Sequence, residues 1–191
     1  GATLGAGQQC YSIERIYVPR ALHDDFVARL VAQVARLKPN WPDAAQGQIG
    51  PITFLPQAAI LQRHLDDAVT RGARIETGGR IDDLGGGLWC QPTVLTGVDH
   101  SMLIMTEESF GPFLPVMAYD NADQAVALAN DSSYGLSAAV FGPEAEARAL
   151  AHRLHAGGVS VNDAGMAPLF IASEAVADKT AFNGSGLGGS R

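Results

Sequence analysis

The sequence predicts an α/β fold, a mostly parallel open sheet with helices on both faces. Three observations carry that reading. Helix-length stretches with apolar residues at helical spacing alternate with short apolar runs, the pattern of βαβ units. Glycine and proline punctuate the junctions between them. Hydrophobic residues make up 47% of the 191 positions and charged residues 17%, which suffices for a buried core and argues against disorder.

Each element has its own justification. Residues 15–18 alternate, with Ile16 and Val18 on one side, and read as a short strand closed by Pro19. Asp24 or Asp25 caps a helix reaching Leu37, with Phe26, Val27, Leu30, Val31, Val34 and Leu37 at helical spacing. Residues 40–52 are broken by Pro42, Gly47, Gly50 and Pro51 and read as loop. Pro56 opens a second helix that runs to Arg71 and turns Ile60, Leu61, Leu65, Ala68 and Val69 inward. A strand over 73–77 ends at Gly78-Gly79, residues 82–87 form a turn, 92–95 are extended and 115–119 form a strand. Asp120 or Asn121 caps a helix through Asn130, and Tyr134-Gly135 turns into a strand over 136–141. Pro143-Glu144 begins the helix that ends near His155, Gly157-Gly158 stops it, and 159–162 is the next strand. There is no internal repeat, and right-handed crossovers are expected.

Charge and composition exclude several functions. Net charge is −7 and the 13 Lys and Arg residues are scattered, so a nucleic-acid backbone would be repelled. Apolar stretches fall short of the roughly 20 residues of a membrane span, and no signal-peptide pattern opens the chain, so a cytoplasmic protein with no membrane partner is expected. Cys10 and Cys90 are too far apart in sequence to suggest a disulfide framework, and no metal-ligand spacing occurs. The expectation is a single domain over residues 1–191 that is truncated at both ends. The chain opens on Gly1-Ala2-Thr3-Leu4-Gly5-Ala6-Gly7 and closes on a run of small residues, Ser185 to Arg191.

Two segments carry chemistry. In Gly5-Ala6-Gly7-Gln8-Gln9-Cys10 a thiol follows small residues that leave room for a substrate, although a lone cysteine is more often a buried small hydrophobe. His23, His64, His100, His152 and His155 read as solvated or packed, which weakens a Cys-His pair of the papain kind. The second segment is Thr106-Glu107-Glu108-Ser109-Phe110-Gly111-Pro112-Phe113-Leu114-Pro115-Val116. Read without further context, Glu107 and Glu108 are a solvated pair, Phe110-Gly111-Pro112 is a packed turn, Cys90 beside Trp89 is packing, and Asn162 bonds backbone to hold the following loop.

This second segment closely resembles the Glu-Glu-x-Phe-Gly-Pro stretch of the aldehyde dehydrogenases, and Gly7-Gln8-Gln9-Cys10 resembles their active-cysteine motif. Family-like pieces follow in order around Glu76–Gly79, at Pro92-Thr93-Val94, Ala129-Asn130, Tyr134-Gly135-Leu136 and Gly158-Val159-Ser160-Val161-Asn162, with a looser echo in Ser185-Gly186-Leu187-Gly188. The resemblance implies that Cys10 is the nucleophile, that its N–H is one oxyanion donor, and that NAD or NADP accepts hydride. It implies that Glu108 accepts from the nicotinamide ribose hydroxyls, that Phe110 packs near the nicotinamide, and that Gln57 is a further ribose contact. Ile60 stands where the family often has a lysine, and Tyr11 and Ser12 stand where smaller residues are more usual. Residues 164–170 would line the tunnel for a small-molecule aldehyde substrate. The family's cofactor-binding domain, its general-base glutamate and its second oxyanion donor lie upstream of the cysteine, and nothing in these residues matches them. The expectation is therefore a catalytic domain missing its cofactor-binding partner, not competent alone, which either self-associates through the exposed cleft or keeps its cysteine loop mobile. The alternatives are a stand-alone cysteine esterase and a non-catalytic interaction domain.

Overall fold

The computed structural model describes residues 1–164. The described residues fall into two compact units, divided after Tyr119.

The first unit is built on a four-stranded sheet in the order β1-β6-β5-β2. Its strands are β1 (Ile16–Pro19), β2 (Arg74–Thr77), β5 (Thr93–Thr96) and β6 (Phe113–Tyr119). β6 pairs in parallel with both β1 and β5, and β2 closes the edge antiparallel to β5. The two faces separate by alternation along each strand. Ile16, Val18, Val94, Leu114 and Val116 belong to one apolar cluster, with Val27 and Val34 of helix α1 (His23–Val34). Tyr17, Leu95, Phe113 and Met117 belong to another, with Leu61, Leu65 and Ala68 of helix α2 (Gln57–Thr70). The helices thus cover opposite faces, as expected. Each fully buried Leu or Val contributes about 1.5–3 kcal/mol of transfer free energy.

Two short elements differ from expectation. Residues 82–87 are not one turn but part of a hairpin, in which β3 (Ile81–Leu84) pairs antiparallel with β4 (Gly87–Cys90). Gly85 and Gly86, at φ 66° and 89°, make the two-residue connection, which needs positive φ at both positions. A one-turn helix, α3 (Leu103–Thr106), was not anticipated. Its first N–H donates to Asp67 Oδ2 on α2 (2.8 Å), so its cap comes from 36 positions away in sequence.

The second unit contains α4 (Ala122–Asn130), β7 (Ser137–Val140), α5 (Glu144–Ala151) and β8 (Gly158–Val161), the two strands parallel. Asn121 caps α4 by accepting from the Gln124 N–H (2.9 Å). Asn130 accepts from the His155 N–H and donates to the Arg153 carbonyl, tying the end of α4 to the turn after α5. Asn162 bonds both backbone groups of Gly142, so it holds the loop that leaves β7.

Candidate active site

Cys10 is solvent-exposed and follows a 3-10 turn over Leu4–Gly7. Gly5, Ala6 and Gly7 all lie at positive φ (58°, 56° and 71°), which explains the run of small residues before the thiol. Gln8 fastens this loop to the segment before α2. Its Oε1 accepts from the Thr53 N–H (2.9 Å) and hydroxyl (3.0 Å), and its Nε2 donates to the Pro51 carbonyl (3.0 Å). Gln9 Oε1 is buried with no hydrogen-bond partner among the described residues.

The thiol loop packs on the Glu-Glu-Ser-Phe-Gly-Pro segment. A Cβ on Gly7 would lie 2.2 Å from the Gly111 carbonyl oxygen, so the two backbones touch there. Four residues after the cysteine, Glu14 reaches the same segment. Its Oε1 accepts from the N–H groups of Ser109 (3.0 Å) and Phe110 (2.9 Å), and its Oε2 stands 3.2 Å from Ser109 N. Burial pushes the Glu14 carboxyl upward, the Phe110 and Ser109 N–H groups oppose that, and the charge of Glu108 adds to it.

Helix α2 supports the segment from beneath. Gln57, Leu61 and His64 recur at i, i+4 and i+7 and so share one helix face. Gln57 Nε2 donates to the Ser109 carbonyl (2.5 Å), Leu61 fills the space a Gly111 side chain would need, and His64 Nδ1 pairs with the Ser109 hydroxyl (3.0 Å). His64 is fully buried, and its Nε2 meets Glu107 Oε2 at 3.2 Å. Burial lowers the His64 pKa, while the Glu107 hydrogen bond and charge oppose it, leaving the ring below its usual value. Glu107 also pairs with Arg63.

The two glutamates are therefore unlike. Glu107 is committed to Arg63 and His64, whereas Glu108 is solvent-exposed, its carboxyl raised by partial burial. Phe110 holds φ 47°, a conformation that bulky side chains rarely adopt. The structure gathers the Cys10 loop, Glu108, Phe110 and Gln57 around one segment of the first unit. Cys90 is packed in the core, its thiol pushed up to about 12 by burial. Apart from Ala164, the expected tunnel residues lie outside the described residues, as does the Ser185–Gly188 echo. Among the described residues, no cluster of three or more His, Cys, Asp or Glu could hold a metal, and no helix is long and apolar enough to cross a membrane.

Sequence reasoning missed Glu14 and the role of His64. The available signal for Glu14 was a carboxylate immediately before an apolar strand. For His64 it was the seven-residue spacing from Gln57 on an otherwise apolar face.

A mostly parallel α/β sheet carrying an exposed thiol loop against a Glu-Ser-Phe-Gly-Pro turn defines the class of protein. Residues 1–186 match the aldehyde dehydrogenase family, and the chain belongs to it. The 2-hydroxymuconic semialdehyde dehydrogenase of Pseudomonas sp. (strain CF600) is 37% identical over 94% of this chain and 36% of its own length. The solved structure of PutA from Anabaena variabilis superposes with a TM-score of 0.93 at 50% identity, covering 100% of this chain and 40% of that one. A betaine aldehyde dehydrogenase mutant from Staphylococcus aureus, solved in complex with NAD+, superposes at 0.85 with 34% identity, over 94% of this chain and 36% of that one. The chain spans about a third of the length of the curated relatives it matches.

Proposed function

We propose that these residues form the cysteine-bearing catalytic domain of an NAD(P)-dependent aldehyde dehydrogenase that oxidises an aldehyde to a carboxylate. The observation that carries this is the packing of the Cys10 loop against the turn that holds Glu108 and Phe110. The Cys10 thiolate adds to the carbonyl carbon of the aldehyde, and the Cys10 N–H donates to the oxygen that becomes negative. NAD(P)+, when held by the groups named below, would supply the acceptor for the hydride that the carbon loses, and Cys10 would keep the acyl group as a thioester. Water cleaves the thioester, which releases the acid and restores the thiol.

The residues present fit half of a dinucleotide site. The exposed Glu108 carboxylate has the acceptor chemistry that a ribose diol needs. Phe110 offers a ring for the nicotinamide, and Gln57 supplies a further ribose contact with the amide atoms not used on Ser109. Groups for adenine, pyrophosphate and general-base chemistry come from outside these 191 residues, in keeping with the relatives' greater length. The partner of this domain is thus a cofactor-binding domain. In its absence the chain turns over no aldehyde, binds NAD+ weakly, and either self-associates through the bared cleft or keeps its cysteine loop mobile.

A polypeptide of family length carrying these residues should form NAD(P)H from an aldehyde panel and lose that activity on Cys10→Ala. Robust turnover by the 191 residues alone, or oxidation that persists in Cys10→Ala, would overturn the proposal. The exposure of Cys10 favours a second reading, cofactor-free hydrolysis of activated esters. Ester hydrolysis unchanged in Cys10→Ala would dispose of it.

A further inference from the structure

We propose that Glu14 is a positioning residue for cofactor capture: by accepting the Ser109 and Phe110 N–H groups it holds Glu108 where it meets the nicotinamide ribose and Phe110 where it meets the nicotinamide. The inference rests on the functional reading above and adds a residue to it.

Successive N–H groups of an extended chain point to opposite sides. Here two of them converge on one oxygen, Glu14 Oε1, at 3.0 and 2.9 Å. That requires a local bend, and Phe110 at φ 47° supplies part of it. An isolated phenylalanine would leave this conformation, so bonds made by its neighbours must hold it. Ser109 is the anchor. Its N–H goes to Glu14, its carbonyl accepts from Gln57 and its hydroxyl pairs with His64, and the residue is 2% exposed. The α2 contacts fix the underside of the turn, while Glu14 ties it to the chain that leaves Cys10. A carboxyl group is costly to enclose, and an apolar residue would pack the site without fixing the two N–H directions. Geometry here points to orientation and not to filling.

In the active polypeptide, Glu14→Ala should raise KM for NAD(P)+ by about tenfold or more, since two charge-assisted bonds are lost, and leave KM for the aldehyde within about twofold. Glu14→Gln keeps one accepting oxygen and should recover most of the affinity. It also keeps the test open should Glu14→Ala fold poorly. Independently of turnover, hydrogen exchange of the Ser109 and Phe110 amides should quicken at least about tenfold in Glu14→Ala and by a smaller factor in Glu14→Gln, with the β6 amides unchanged. A cofactor KM unchanged in active, folded Glu14→Ala, or amide exchange unchanged at both positions in both variants, overturns the proposal while the dehydrogenase reading stands. Absence of NAD(P)+-dependent oxidation in the unsubstituted protein sinks that reading first, and this proposal with it.

Discussion

Gly7 and Gly111 meet backbone to backbone: the position a Gly7 Cβ would take is 2.2 Å from the Gly111 carbonyl oxygen and 2.5 Å from its carbon. Neither atom can yield as a flexible side-chain end would. Gly7 also sits at φ 71°, where an L side chain is strained. Gly7→Ala should therefore destabilise the protein by at least about 2 kcal/mol, combining a forbidden contact with backbone strain. Urea unfolding measures this. A loss below half that size would mean that the loops are not in the contact described.

The two thiols should behave oppositely. Cys10 is exposed, while Cys90 is buried with its thiol pushed up to about 12. At pH 8 only about one Cys90 in ten thousand would be thiolate, before counting its lack of access. Iodoacetamide at that pH should label one site in the native protein and none in Cys10→Ala, with Cys90 appearing only after unfolding. Mass spectrometry of the intact chain reads this directly, and native labelling of Cys90 would contradict the burial.

How much of this was legible in the sequence depends on where each residue finds its partners. β1, β5 and β6 could be read because both their faces are apolar, and α2 because Pro56 and the Leu61–Leu65–Ala68 row mark it. The β3–β4 hairpin was obscured by Asp82-Asp83, which carry polar contacts to Gln91 and Gly86 instead of apolar packing. α3 was illegible because its cap is Asp67, a residue of another helix. For the site, the residues pointed only to a thiol with room around it and a pair of acids. Cys10, Glu108, Phe110 and Gln57 gained roles through the resemblance. Glu14 and His64 gained theirs only from folding, which sets them against Ser109, 95 and 45 positions away.

His64 gives the protein an acid-sensitive site. Its folded pKa is lowered, so between the ordinary value near 6.5 and that lower value the unfolded chain binds a proton that the folded chain does not. The stabilisation is thus fully present above about pH 6.5 and is lost as pH falls through the folded pKa. His64→Asn removes the titration and keeps a polar side chain for the Ser109 hydroxyl. Its stability curve should be flatter than the parent's as pH falls below about 6.5. Equal slopes there, measured by urea midpoints, would show that His64 does not control them.

Asn162 allows backbone strain and hydrogen bonding to be separated in the second unit. It sits at φ 57° just past β8, donating from Nδ2 to the Gly142 carbonyl (3.0 Å) and accepting at Oδ1 from the Gly142 N–H (2.9 Å). Asparagine tolerates this left-handed conformation better than most side chains, and its amide matches the paired donor and acceptor of one peptide residue. Asn162→Gly keeps the backbone freedom but loses both bonds. Because the site is exposed and water replaces them, a cost of about 1 kcal/mol is expected. Asn162→Ala loses the bonds and adds a side chain that disfavours positive φ, for about 1 kcal/mol more. The order of stability should be Asn, then Gly, then Ala. If alanine equalled glycine, the left-handed backbone would contribute nothing, and the hydrogen bonds to Gly142 alone would account for asparagine at this position.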